Sequence, residues 1–99
     1  MKKPKSLVAR NATELAHVLG LAPAEGAEIE LRSALNDKII EIVHKTGLTH
    51  GQVATLARTS RSRITAVLNR NTKDVSTDLL LRIIASLGYR AKITFSRAA

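Results

Sequence analysis

The sequence predicts an all-α fold of about five helices in one domain, followed by a single β-strand. Apolar residues make up 44% of the 99 residues but aromatic residues only 2%, so Leu, Ile, Val and Ala must fill the core. Apolar residues recur at steps of three and four over most of the chain, then alternate with polar ones near its C-terminus. This length supports one core, so we expect a single domain over residues 11–99 behind a flexible basic arm, residues 1–10.

The first two helices are predicted before residue 47. A short helix covers residues 11–19 and stops near Gly20. A long helix covers residues 24–45, where one apolar stripe runs along its length. Gly47 then lies where a helix C-cap glycine is expected.

Three further helices are marked by residues that cap helix N-termini. Thr49 starts the third helix, and Gln52 completes the capping-box pattern. Thr59 or Ser60 caps the fourth helix, and Ser76 caps the fifth.

The C-terminal segment, residues 89–96, has the two-residue period of a strand. A lone strand leaves backbone N–H and C=O groups unpaired, and a second copy of the same strand would pair them. We therefore expect a two-fold dimer joined by an antiparallel ribbon, with a frayed terminus as the alternative. The expected dimerisation residues are Tyr89, Ala91, Ile93 and Phe95.

Positive charge is concentrated in the C-terminal part of the chain, whose net charge is +8. Residues 1–41 carry six basic and six acidic side chains, whereas residues 42–99 carry ten basic and two acidic ones. Such a field favours a polyanionic partner, usually nucleic acid, although a solubilising surface is the simpler alternative. The lack of an aromatic platform for stacking bases favours double-stranded DNA over RNA.

The third and fourth predicted helices, residues 49–69, have the spacing of a helix-turn-helix. On a helical wheel Ile64, Val67 and Leu68 of the second helix point to one side, and small or polar side chains point to the other. A helix in the major groove needs such a face, with long cations at its edges. The expected base-reading residues are Arg61, with its bidentate guanidinium, followed by Ser62, Thr65 and Ala66.

A second set of side chains is expected to bind DNA phosphates. Its members are polar groups near helix starts and ends, and cations around the turn and the following loop. For any single member, a solvated surface side chain is an equal alternative. The set consists of His50, Arg58, Ser60, Arg63, Asn69, Arg70 and Lys73.

We expect no catalytic residue, metal site or cofactor. The chain lacks Cys, an HExxH pair and a glycine-rich phosphate loop. His44 and His50 could meet across Gly47, but two ligands without a third are weak evidence for a metal. No export signal or membrane-length apolar run is present, so a cytoplasmic protein without membrane contact is expected.

Residues 48–95, LTHGQVATLARTSRSRITAVLNRNTKDVSTDLLLRIIASLGYRAKITF, resemble the Xre/Cro-like helix-turn-helix family of bacterial and phage regulators. The polar start Thr49-His50-Gly51-Gln52, the small Ala54 and the buried Ile64 match that family. The preceding segment and the terminal strand are similar to those of HigA-type antitoxins, often encoded beside a RelE-like ribonuclease toxin. The resemblance implies a lambda-repressor-like fold and a dimeric repressor that regulates its own operon and neutralises a toxin.

Two other functions remain open at this point. The chain could be a protein inhibitor of a ribonuclease toxin, with the helix-turn-helix mainly a scaffold and the N-terminal region as the contact surface. It could also be a Cro-like phage repressor without a toxin partner.

One residue departs from the family pattern. The family commonly has Gly in the turn, where this chain has Arg58. A left-handed backbone at a non-glycine residue costs roughly 1–2 kcal/mol. Either Arg58 carries that strain or the turn has a different shape.

Overall fold

A computed structural model of the chain describes residues 23–95 and residue 97. These residues form four helices and no strand: α1 (Pro23–Thr46), α2 (His50–Ala57), α3 (Arg61–Leu68) and α4 (Thr77–Ser86). The all-helical class is confirmed for this part of the chain. The predicted basic arm, residues 1–10, and the predicted helix over residues 11–19 lie outside the described residues.

One compact unit, Arg32–Ala91, contains α2, α3, α4 and most of α1. It therefore holds every predicted site residue except Ile93 and Phe95, which belong to a second unit together with residues 23–31. None of the four helices is long and apolar enough to cross a membrane.

The core of the Arg32–Ala91 unit is aliphatic. The stripe on α1 is buried as its periodicity predicts, and α2 packs against both α3 and α4. Each Ile or Leu that is fully removed from water stabilises the fold by about 1.5–3 kcal/mol. The largest fully buried side chains are Ile39, Ile42, Val53, Ile64, Val67, Leu80 and Ile83.

Side-chain hydroxyl groups cap the N-termini of α2, α3 and α4. Thr49 Oγ1 accepts the Gln52 N–H at 3.1 Å, and Gln52 Oε1 accepts the Thr49 N–H at 2.9 Å, which confirms the capping box. Ser60, not Thr59, caps α3, and Ser76 caps α4. Each serine oxygen accepts the backbone N–H three residues along, at 3.2 and 3.1 Å respectively.

The predicted strand is not formed within a single chain: residues 89–95 have no strand partner among the described residues, and residue 96 lies outside them. Tyr89 lies beneath Lys38, whose Nζ is 5.3 Å from the ring centroid. Glu41 accepts a hydrogen bond from Lys38 Nζ at 2.8 Å and raises the pKa of Lys38. Pairing of residues 89–96 between two copies stays a prediction.

Candidate nucleic-acid interface

The α2–α3 pair has the predicted helix-turn-helix arrangement. Three residues, 58–60, separate the two helices. On α3, Ile64 and Val67 are fully buried, whereas Arg61, Ser62 and Arg63 are exposed. The N-terminal turn of α3 is therefore free to meet a partner, while its apolar side is fixed in the core.

The four predicted base-reading residues differ in how far they are exposed to solvent. Arg61 and Ser62 are exposed, but Thr65 and Ala66 are only half-exposed. Leu68, predicted on the apolar side, is half-buried. The helical wheel therefore predicts the burial of Ile64 and Val67 correctly. Thr65 and Ala66 are less exposed than it predicts, and Leu68 is less buried.

His50 lies at the start of α2, and its ring reaches across to α3. Its Nδ1 is 2.8 Å from Thr65 Oγ1, and both residues are half-buried. His50 was predicted to bind phosphate and Thr65 to read a base; the contact between them was not predicted. No local signal predicts this hydrogen bond, because the two residues are 15 positions apart and meet only when the turn folds.

The first residue of the turn after α2, Arg58, has a left-handed backbone, with φ 55° and ψ 50°. The Thr59 N–H donates to Ala54 O at 3.0 Å, and the Arg58 N–H donates to Thr55 O at 3.3 Å. This pair of bonds is the Schellman motif, which normally has Gly at the left-handed position. Of the two alternatives, the structure shows the first: Arg58 carries the strain of a left-handed backbone.

Arg70 is a second left-handed arginine, with φ 59°, and it ends α3 in the same way. The Asn71 N–H donates to Ala66 O at 2.8 Å, and the Arg70 N–H donates to Val67 O at 3.0 Å. This conformation was not predicted. The sequence carries no clear signal for it, because many helices end without a left-handed residue and no Gly follows α3.

The guanidinium of Arg70 is not a free cation. Its Nη1 donates to Asp37 Oδ1 on α1 at 2.6 Å, and both side chains are 59% exposed. At that exposure the pair contributes little to stability. A phosphate group at this position would share Arg70 with the Asp37 carboxylate.

The other cations predicted to contact DNA, three at phosphates and Arg61 at a base, are exposed. Arg58, Arg61, Arg63 and Lys73 form no hydrogen bond through their side chains and no ion pair within the described part of the chain. Three of these four flank the turn and the start of α3. Their positive charge is therefore unneutralised by acidic side chains at the point where α3 is most exposed.

Two polar residues of α1 that were not in the predicted site form hydrogen bonds to α3 and to the loop that follows it. Asn36 is buried, and its Nδ2 donates to Val67 O at 2.8 Å. Arg32 binds the loop after α3: its guanidinium donates to Thr72 O at 2.7 Å and to Val75 O at 2.6 Å. The available signal is that Asn36 lies beside the apolar stripe of a helix, where a polar side chain needs a buried partner.

A metal site at His44 and His50 gains no support from the geometry. Within residues 23–95 and 97, no three His, Asp or Glu side chains lie close enough to hold a metal ion. His50 Nδ1 already has Thr65 as its partner.

Comparison with known proteins places this arrangement in a family. Residues 17–96 match a family model described as a helix-turn-helix domain, and the match includes all four helices. No curated protein matches the chain significantly, and no solved structure does. A helix-turn-helix domain indicates a DNA-binding regulator. Because the match spans well over half of the chain, this chain belongs to the helix-turn-helix domain family.

Proposed function

We propose that the chain is a sequence-specific transcriptional regulator that binds double-stranded DNA with α3 in the major groove. The observation that carries the proposal is the difference between two sides of α3. Arg61 and Arg63 at its start are exposed, whereas Ile64 and Val67 on its other side are fully buried. A major-groove helix must bring side chains to base edges without exposing its apolar residues. The net charge of +8 supplies the long-range attraction to the phosphate backbone.

Within this proposal the residues of the helix-turn-helix have different roles. Arg61 reads a base, because an exposed guanidinium can make two hydrogen bonds to guanine. Ser62 is exposed beside it, and Thr65 and Ala66 contact bases at the middle of α3. Arg58, Arg63 and Lys73 bind phosphates, which fixes the position of α3 but adds no base preference.

The two sets of contacts are separated by a pair of substitutions. Arg61→Ala should relax base preference at one or two positions, with a loss of about 1–3 kcal/mol on the preferred sequence only. Lys73→Ala is the matched control, since it should weaken binding to all sequences alike and reduce the salt dependence. Equal losses on all sequences for both variants would remove Arg61 from base reading.

We further propose that the regulator is a homodimer joined through residues 89–96. Ile93 is 63% exposed and Phe95 is 95% exposed in the single chain, and pairing of two strands would cover both. A two-fold dimer would place its half-sites about one helical turn, roughly 34 Å, apart.

The antitoxin role rests on the resemblance to HigA-type members of the Xre/Cro-like family, and it is part of the proposal. A repressor of this type would regulate its own operon and bind a RelE-like ribonuclease toxin. The neighbouring gene separates a Cro-like repressor without a toxin from both toxin-binding functions, and sequence-specific DNA binding separates the antitoxin repressor from a toxin inhibitor that uses the fold only as a scaffold. A small basic ribonuclease encoded there, which co-purifies with this chain, supports the antitoxin; no such gene supports the Cro-like repressor.

A further inference from the structure

We propose that His50 sets the hydrogen-bond polarity of Thr65 and thereby selects which base Thr65 recognises. The inference rests on the proposed binding of α3 in the major groove. It assigns His50 a role in sequence preference, which a contact to phosphate alone would not have.

The geometry that carries this inference is the hydrogen bond between the two helices. His50 Nδ1 and Thr65 Oγ1 are 2.8 Å apart, which leaves room for one hydrogen atom between them. Both residues are half-buried, so the remaining exposed side of Thr65 is what a partner can reach. A hydroxyl group has only one hydrogen to donate. If Thr65 donates it to His50, its oxygen can only accept a hydrogen bond from a base.

Two arrangements of that hydrogen are available. If Nδ1 carries the hydrogen, it donates to Thr65 Oγ1, and the Thr65 hydroxyl is free to donate to a base. It would then favour acceptor edges in the major groove: guanine N7 or O6, adenine N7 or thymine O4. If Nδ1 is bare, Thr65 donates to it, and Oγ1 can only accept from the amino group of adenine or cytosine.

Contact with DNA selects the second arrangement. A phosphate oxygen only accepts hydrogen bonds, so a phosphate at His50 takes the hydrogen on Nε2. The inference applies to the neutral imidazole, which has one ring hydrogen, so a hydrogen on Nε2 leaves Nδ1 bare. Thr65 therefore donates to His50 and presents an acceptor to the DNA. The expected preference at the base that meets Thr65 is adenine or cytosine, whose amino groups can donate. A doubly protonated ring would donate from Nδ1 to Thr65 and overturn the assigned polarity.

The test is a double-mutant cycle on operator variants substituted at each base pair in turn. His50→Phe and Thr65→Val should each lower the preference at the same base pair, by about fivefold. The double variant should lose no more preference there than either single variant. Thr65→Ser keeps the hydroxyl and should keep the preference for adenine or cytosine.

Arg61→Ala is the matched control within the cycle. It should affect a different base pair, and its effect should add to that of His50→Phe. Equal weakening of all operator variants by His50→Phe, additive with Thr65→Val, would overturn the inference and leave His50 as a phosphate contact. A preference for guanine or thymine at the Thr65 position would overturn the assigned polarity, and so would a preference for adenine that is lost with 7-deazaadenine, which lacks only the N7 acceptor.

A second readout does not depend on the variants. In ¹⁵N-labelled protein bound to its operator, the ring-nitrogen signals of His50 should show a hydrogen on Nε2 and none on Nδ1. A hydrogen on Nδ1 would overturn the inference. Sequence-independent DNA binding by the unmodified protein would overturn this inference and the proposed function together, whereas specific binding with an additive cycle overturns the inference alone.

Discussion

At the scale of single residues, Arg58 and Arg70 depart from the backbone conformations that non-glycine residues prefer. Both have left-handed backbones, with φ 55° and 59°, where Gly would carry no penalty. Each arginine therefore costs on the order of 1 kcal/mol. Because both lie at the ends of the helix-turn-helix helices, the strain accompanies positive charge near the proposed DNA surface, a pattern common at functional sites.

Arg58→Gly should raise the free energy of unfolding by about 1 kcal/mol, because glycine adopts the left-handed conformation without a Cβ clash. The same substitution should weaken DNA binding, because it removes a cation from the turn. Urea denaturation and a DNA titration measure the two effects. Arg63→Gly is the matched control: it removes an equally exposed arginine from inside α3, where glycine should lower stability by about 1 kcal/mol.

Asn36→Ala should lower the free energy of unfolding by about 2 kcal/mol. The substitution removes the donor to Val67 O and leaves that buried carbonyl with one partner fewer. Thermal or chemical denaturation measures the loss, and exposed Asn71→Ala should change stability by less than about 0.5 kcal/mol. Equal effects of the two substitutions would show that the buried hydrogen bond does not stabilise α3.

At the scale of elements, α1 holds the C-terminal end of α3 and the loop that follows it. Arg32 donates to two backbone carbonyls in residues 72–75 and to Thr77 Oγ1 at 3.0 Å. One guanidinium thus holds the loop by two hydrogen bonds and the first residue of α4 by a third, which fixes the loop relative to α1 and α4. The position of Lys73, the proposed phosphate contact in this loop, therefore depends on a residue of α1.

Arg32→Met should increase the rate of amide hydrogen exchange in residues 69–76, because the loop loses both of its hydrogen bonds to the guanidinium. The exchange of α2 amides should change much less, since α2 has no contact with Arg32 among the hydrogen bonds described. Arg82→Met is the control, because Arg82 is exposed on α4 and has no hydrogen bond to another described residue. Unchanged loop exchange in Arg32→Met would show that other contacts hold the loop.

The elements that the sequence predicts correctly are those set by neighbouring residues. Capping by Thr49, Ser60 and Ser76 depends on a backbone N–H three positions away, so the pattern is visible in the chain itself. The contacts of Arg32 span 40 to 45 positions, and the His50–Thr65 bond spans 15. Such contacts depend on how the helices pack, which helical periodicity does not determine.

At the scale of the whole molecule, the described chain leaves an apolar C-terminal segment without cover. Phe95 is 95% exposed, and the two-residue period of residues 89–96 fits a strand whose partner is a second copy. The proposed dimer, and with it the proposed spacing of two copies of α3 on DNA, depends on this segment.

Phe95→Glu should convert the proposed dimer to a monomer, because it replaces an apolar side chain of the shared strand face with a carboxylate that would lose part of its solvation on pairing. Sedimentation equilibrium measures the change in mass. Thr94→Glu introduces the same charge on the other side of the strand and should leave the dimer largely intact. A protein that is fully dimeric after truncation at Gly88 would contradict strand pairing.

The central claim is tested most directly by titrating the unmodified protein against its own promoter fragment and against a scrambled fragment over a range of salt concentrations. We expect promoter affinity at least about 10³-fold higher than that for scrambled DNA, and a steep loss with salt of about 0.9 in log affinity per log salt for each phosphate contact. Equal affinity for the two fragments would contradict sequence-specific regulation, and binding that does not weaken with salt would contradict the DNA interface itself.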